Sequence, residues 1–489
     1  MPDPKQPTPS ARAYFRGSIG VIFSRGIGIL AGVGSLWILT RVLDTEQFAG
    51  YMLAMSVVQI IGFFAGFGIE RVLFLKISAL TPDPQRLHGQ KLAARIAVWV
   101  SASSVVAVLA TLLLVGFFPE LTGQTALAHW LTRLAPIGPA IALITVLVAW
   151  LEANHRTGRP QALQGEIDAS RCAGFGLIYA TGAGAWAVPI AAVAPYILSP
   201  LALALSHRRK AMPEPSTLSY ADFKDGLRFF GIHVSSVGFL HLDIMAVGIV
   251  AEPAVLAAYV IASRFSLILE AGHHLFAAAY GPRARFHMSE GQPQLAAQEY
   301  TNARVLGFLA ASSAAFGFML FGQFMLELFG GFAGAFDILM LLCAGQIALV
   351  GAGLHAMHLS MAGHLTIAMR LQLSALALFI ALLVVLTPSY GAYGAALAFL
   401  SAQIALATAG LVTLRILYGI WPFTIASLVG YGLSVGSLAL AGLAPELLAL
   451  AGGLLVTGIV ITAISERGLI LKILAEVLDQ LRRHAPRQR

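Results

Sequence analysis

Long apolar runs alternate with short polar punctuation along almost the whole chain. Runs of about 20 apolar residues have the length of a helix that crosses a bilayer. They begin near Ser18, Ala49, Leu92, Trp130, Ala173, Ala187, Gly226, Pro253, Ala303, Gly334, Thr366, Gly394, Trp421 and Glu446. The pattern predicts an all-α, polytopic membrane protein of about fourteen transmembrane helices. The fifth and sixth runs are short and are divided only around "TGAGAWAVP" (Thr181–Pro189). Pro189, Pro195 and Pro200 predict an interrupted sixth helix, either opened towards a cavity or kinked. The first run follows Lys5, Arg12 and Arg16, as a signal peptide would. It continues past roughly 20 residues without a small-x-small cleavage pattern, so a retained anchor is expected. Near the end, "GLILKILAEVLDQLRRH" puts Leu469, Ile473, Val477 and Leu481 near one face, the pattern of a helix lying on the inner leaflet.

The apolar pattern also repeats. "AARIAVWVSASS" (Ala93–Ser104) resembles "NARVLGFLAASS" (Asn302–Ser313) at an offset of 209 residues. "FAGYMLA" (Phe48–Ala54) falls on "LAAYVIA" (Leu256–Ala262) at 208, and "GAWA" (Gly184–Ala187) on "GAAL" (Gly394–Leu397) at 210. Six helices separate the copies, an even number, so the halves run parallel about an axis along the membrane normal. The expected organisation is a lobe over residues 1–215, a second lobe over 216–418, two extra helices over 419–464 and a cytoplasmic amphipathic tail over 465–489.

Composition names the solvent. The chain is 58% hydrophobic and 11% charged, against about 25% charged in soluble domains. Lipid must cover what a soluble core cannot. Of the 31 Lys and Arg residues, all but Arg25, Arg41, Arg133 and Arg264 fall in segments that are cytoplasmic if the N-terminus is inside. The positive-inside rule therefore puts both termini in the cytoplasm. The net charge of +8 then faces anionic headgroups and needs no nucleic acid. Cys172 and Cys343 are far apart and read as packing residues. No metal-ligand spacing, cofactor motif or phosphate-binding loop is present, so ATP is not the energy source within this chain.

The segments "RVLDTEQFAGYMLAMSVVQIIGFFAGFGIERVL", "DIMAVGIVAEPAVLAAYVIASRF" and "GAYGAALAFLSAQ" resemble the multidrug/oligosaccharidyl-lipid/polysaccharide exporter superfamily, and within it the bacterial polysaccharide (O-antigen-type) flippases. The resemblance covers nearly the whole chain. It implies a V-shaped transporter of the cytoplasmic membrane that moves a prenyl-diphosphate-linked glycan from inner to outer leaflet by alternating access. It further implies work beside a polysaccharide polymerase and glycosyltransferases, with no enzymatic step of its own.

Polar residues inside apolar runs are the candidate site. Arg25, Arg264 and Arg133 are candidate cavity cations for a diphosphate, which guanidinium grips in a bidentate fork. Arg25 also has the option of snorkelling, Arg264 of a structural ion pair and Arg133 of an interfacial position. Three roles are open to Asp243 in "GFLHLDIMAVGIV": an ion pair with Arg264, a site for a coupling proton or sodium ion, or a protonated hydrogen-bonding group. Glu270 is a second ion-coupling candidate or a headgroup-level residue. His233, His241, His273 and His274 read first as structural groups. Gly28 and Gly32 have GxxxG spacing for close helix packing. Two other functions stay open: a drug exporter, which would prefer an acidic or aromatic cavity, and a lipid II flippase. A membrane glycosyltransferase is disfavoured, because the outer loops are short and nearly uncharged.

Overall fold

The computed structural model describes residues 11–79, 89–117, 125–154, 158–206 and 220–471, with the side chains of 11–25 and 271–279 among those outside the description. Most of the expected tail helix, residues 472–489, also lies outside it. Among the described residues there are helices and no strands.

Two compact units divide the chain. The first, chiefly residues 1–261, holds α1 (Ala11–Val42), α2 (Thr45–Phe64), α3 (Ile69–Ala79), α4 (Gln90–Phe117), α5 (Thr125–Leu134), α6 (Ile137–Ala153), α7 (Gly158–Thr181), α8 (Val188–Ser206), α9 (Tyr220–Val250) and the first turns of α10 (Pro253–Ser289). It also takes residues 328–330 and 383–392. The second unit holds the rest of α10, α11 (Pro293–Leu328), α12 (Phe336–Ala352), α13 (His355–Met361), the two ends of α14 (Leu365–Tyr418), α15 (Ile425–Leu443) and α16 (Leu448–Ser465).

Ten helices among the described residues are long and apolar enough to cross a membrane, eleven with the α5–α6 pair, which bends by 43°. The other expected crossings have physical reasons for escaping that test. On α1, Gly26–Val42 forms a shorter apolar stretch. Polar residues dilute α7. The 54 residues of α14 would span roughly 80 Å at 1.5 Å per residue, more than twice a hydrocarbon core. At Gly391 the backbone turns to φ 57°, ψ −137°, a conformation that only glycine adopts without strain. The one helix is thus two helical segments joined by a glycine break, and the described residues hold ten or more apolar helices of a polytopic membrane protein.

Close contacts replace hydrophobic driving force inside lipid. In the first unit α1 packs along α7, and α2 against α5, α6 and α9. Gly28 meets the backbone of Gly165 on α7, but Gly32 meets nothing, so only half of the GxxxG pair makes the contact. In the second unit α15 packs on both α12 and α16. A Cβ on Gly430 would lie 2.6 Å from the Gly458 carbonyl oxygen, so α15 and α16 touch backbone to backbone. The sixth span differs from expectation: α8 continues through Pro195 and Pro200 without a break. The loop before it is the interruption, turned by Gly182 and Gly184 at positive φ.

If α14 is two spans, its ends lie on one side of the membrane and its break on the other. Single cysteines at His364 and Trp421 should react with an impermeant maleimide from the same side in cells, and a cysteine at Ser389 from the opposite side. Labelling of all three from one side would contradict the break.

Candidate functional site

The fifth span begins earlier than the apolar run suggests. With α7 starting at Gly158, Arg171 lies in mid-helix and not in a cytoplasmic loop. Its side chain is 14% exposed. Nη2 donates to the Tyr51 hydroxyl at 3.0 Å. Nη1 lies 3.6 Å from the Asp168 carboxylate, one turn earlier on the same helix. The Phe175 and Tyr196 rings stand 5.8 and 5.6 Å from the guanidinium carbon, within cation–π range. Tyr51 is itself fixed edge-on to Trp130 and Phe175. One donor is left over: Nε is buried with no hydrogen-bond partner. A loosely paired cation with an unspent donor, in surroundings of low dielectric, is a strong attractor for an anionic oxygen.

Asp243 lies on α9 and is 1% exposed. The Tyr259 hydroxyl, from the first turns of α10, donates to Oδ2 at 2.8 Å. The Ile244 amide donates to Oδ1 at 2.8 Å. The site is built to hold a carboxyl group in place, and its tyrosine was not singled out from the sequence. Tyr51 and Tyr259 nevertheless occupy matching places in "FAGYMLA" and "LAAYVIA". Both are fully buried. The two hydroxyls serve differently: the Tyr51 hydroxyl accepts from Arg171, and the Tyr259 hydroxyl donates to the Asp243 carboxyl group.

The other predicted residues are spread through the fold. Arg133 is exposed on the last turn of α5, just before the bend into α6. Arg25 belongs to α1, and its side chain lies outside the described ones. Arg264 and Glu270 are half-buried on α10 and belong to the second unit, while Asp243 belongs to the first. His241 is fully buried, and His233 sets its ring 5.5 Å from Phe63. The side chains of His273 and His274 are not among those described. Arg41, the lone cation expected outside, donates to the Leu328 carbonyl at the end of α11 at 3.0 Å, where the helix dipole favours a positive charge.

Arg304 is 1% exposed inside α11, in the second unit. Its guanidinium stands over the Phe423 ring at 4.1 Å, donates to Gly351 O at 3.4 Å and approaches Glu466 at 3.9 Å. The tenth span breaks there, between α12 and α13, at Gly353 with φ 94°. Tyr300 and Tyr431 donate to Ala352 O and Ala348 O at 2.6 and 2.8 Å. Tyr300 and Arg304 thus meet carbonyls that the end of α12 leaves open, and Tyr431 adds a second donor to one a turn earlier. Among the described residues, no three His, Cys, Asp or Glu side chains gather as metal ligands.

A bundle of apolar helices with anchored charges inside it and broken helices closed by side chains has the architecture of a polytopic membrane protein. The solved structures agree on the fold. The lipid II flippase MurJ in an inward closed conformation matches with a TM-score of 0.66, at 17% identity over 93% of this chain and 100% of that one. A eukaryotic MATE transporter matches with a TM-score of 0.57, at 15% identity over 88% of this chain and 99% of that one. A transporter of the MOP superfamily from Pyrococcus furiosus matches with a TM-score of 0.55, at 14% identity over 83% and 95%. No curated protein sequence matches. The family model described as polysaccharide biosynthesis protein matches residues 15–283, more than half of the chain. The chain belongs to that polysaccharide biosynthesis protein family.

Tyr259→Phe removes the donor to a buried carboxyl and should destabilise the purified protein by about 1–3 kcal/mol. Asp243→Asn keeps an acceptor oxygen and should be milder. Denaturant unfolding of the double variant should show the two changes to be non-additive, as expected for groups in contact. Strict additivity would separate them.

Proposed function

We propose that this protein moves a prenyl-diphosphate-linked oligosaccharide, the repeat unit of an O-antigen or exopolysaccharide, from the inner to the outer leaflet of a bacterial cytoplasmic membrane. The membership in a polysaccharide biosynthesis family supports the glycan, and the transporter fold supports the movement. The observation that carries the reading is Arg171. A guanidinium inside a span, held by a tyrosine and a carboxylate on one side, has the chemistry to receive a phosphate oxygen on its free Nε. Arg25, Arg133 and Arg264 are further cations for the same diphosphate. Asp243 and Glu270 are the groups for a coupling proton or sodium ion, or for an ion pair with Arg264. Both termini lie in the cytoplasm, where glycosyltransferases deliver the substrate. A polymerase consumes it on the far side.

The likeness to MurJ favours one other substrate, lipid II, which presents the same diphosphate. The glycan distinguishes the two. In proteoliposomes, wild type should flip a fluorescent prenyl-diphosphate oligosaccharide faster than lipid II. Arg171→Ala should slow flipping by about 10- to 100-fold, the equivalent of a lost charge-assisted contact of about 1.5–3 kcal/mol. Arg171→Lys should recover part of it. Arg264→Ala, at a half-buried position, gives a second reading if Arg171→Ala folds poorly. Full activity in both alanine variants would overturn the diphosphate role, and faster flipping of lipid II would replace the substrate.

A further inference from the structure

The second span is broken where no prediction placed a break. α2 ends at Phe64 and α3 begins at Ile69. Phe67, in the turn between them, has φ 47° and is the only non-glycine with positive φ among the described residues. Gly68 follows at φ 77°, and it lies so close to the Gly226 carbonyl on α9 that no Cβ fits between them. The turn is seated on α9 by aromatic rings: Phe64 and Phe67 stand 5.5 and 5.2 Å from Phe230, and Phe63 stands 5.5 Å from His233. The Ser103 hydroxyl, from α4, donates to the Ala65 carbonyl at 2.7 Å and so closes one of the backbone groups that the break opens.

Glu70, on the first turn of α3, folds back over this turn. It is 7% exposed, and Oε2 is buried without a hydrogen-bond partner. Oε2 would lie 2.6 Å from a Cβ on Gly66, so the oxygen fills the space that a side chain in the turn would occupy. The neighbouring cation does not neutralise it. Arg71 is spent on Glu152 of α6, at 3.7 Å. On α3 and the helices packed against it, the other ionisable groups include Lys76 on α3 itself, Lys91 and Arg95 on α4, and Lys224, Arg228, His233, His241 and Asp243 on α9. Glu70 Oε2 accepts no hydrogen bond from any of them, and the His233 ring packs against Phe63. A charged carboxylate with one oxygen buried and unpartnered is costly, and a proton removes that cost.

We propose that Glu70 is a proton-binding site, and that the proton on its carboxyl keeps the α2–α3 turn seated on α9. When the proton leaves to water, the charge must find solvent. The route open to it is to lift the turn, separating Phe64 and Phe67 from Phe230 and Gly68 from Gly226. Proton loss at Glu70 thereby opens the seam between the second and seventh spans, and rebinding closes it. The inference concerns this seam alone and holds whatever the transported molecule is.

Hydrogen-exchange mass spectrometry on the full chain in lipid nanodiscs tests it without a transport assay. After correction for intrinsic exchange, amides of residues 65–72 and 226–233 in wild type should lose protection as pH rises. The loss should approach about tenfold per pH unit above the titration point, the limit for one linked proton. Glu70→Gln, neutral and of the same shape, should stay protected over the whole range. Glu70→Asp should keep the pH dependence. A wild type whose protection does not change with pH at these residues overturns the proposal, whether or not the variants fold. So does a Glu70→Gln protein that follows the wild-type curve. Restoration of protection at high pH by sodium chloride but not by choline chloride would assign the site to a metal cation and overturn the proton.

Discussion

Every polar group that this chain places inside the bilayer must find its partner within the protein, because lipid offers none. That constraint shapes the breaks as much as the helices. At the end of α12 two open carbonyls are met by Tyr300 and Arg304. At the end of α2 one is met by Ser103. The side-chain charges obey the same rule: Arg171 is held by Tyr51 and Asp168, and Asp243 by Tyr259. Tyrosine recurs because its ring is at home among apolar side chains while its hydroxyl serves either sign of charge. The exceptions stand out against this economy. Among the buried side-chain atoms that make no hydrogen bond are the Nε of Arg171 and the Oε2 of Glu70, with others such as the Nε of Arg304 and the Oε1 of Gln346.

The helices were legible in the sequence because length and apolarity suffice to define a span in lipid. The number of crossings and the parallel repeat follow from the same signal. The errors share one cause. A polar residue dilutes an apolar run, so a span that carries its own charges looks shorter than it is. Arg171 was placed in a loop because "GRPQALQGEIDASR" reads as hydrophilic, yet it forms the first half of α7. In the same way α11 begins at Pro293, ahead of the apolar run that starts near Ala303. The break after α2 was hidden for the opposite reason. Phe67 and Gly68 sit in an apolar stretch, whereas the break at Gly391 falls in "TPSYGAYG", between the runs that begin near Thr366 and Gly394, and was legible.

The site was less legible than the fold. Asp243 announced itself by its setting, but Tyr259 did not, because a tyrosine in an apolar run is unremarked by hydropathy. The repeat held the missing signal. Aligning "FAGYMLA" with "LAAYVIA" pairs Tyr51 with Tyr259, and the pairing identifies a position whose hydroxyl has a use in both copies. Asp168 and Arg171, one turn apart, carried another: opposite charges at that spacing in a helix face each other and travel into the membrane as a pair. Read in this way, charge spacing adds to hydropathy the information that hydropathy discards.

The anchoring of Arg304 bears on how the protein is made. The residue enters the membrane with α11, but Glu466, which approaches its guanidinium, sits at the end of α16. Phe423, the ring beneath the charge, arrives between α14 and α15. During synthesis the cation is therefore inserted well before its two partners leave the ribosome. Until then it must be shielded by headgroups, by water or by the insertion machinery. Packing of the second unit around α11 has to wait for the last span, and the order in which the chain emerges sets the order in which that unit is completed.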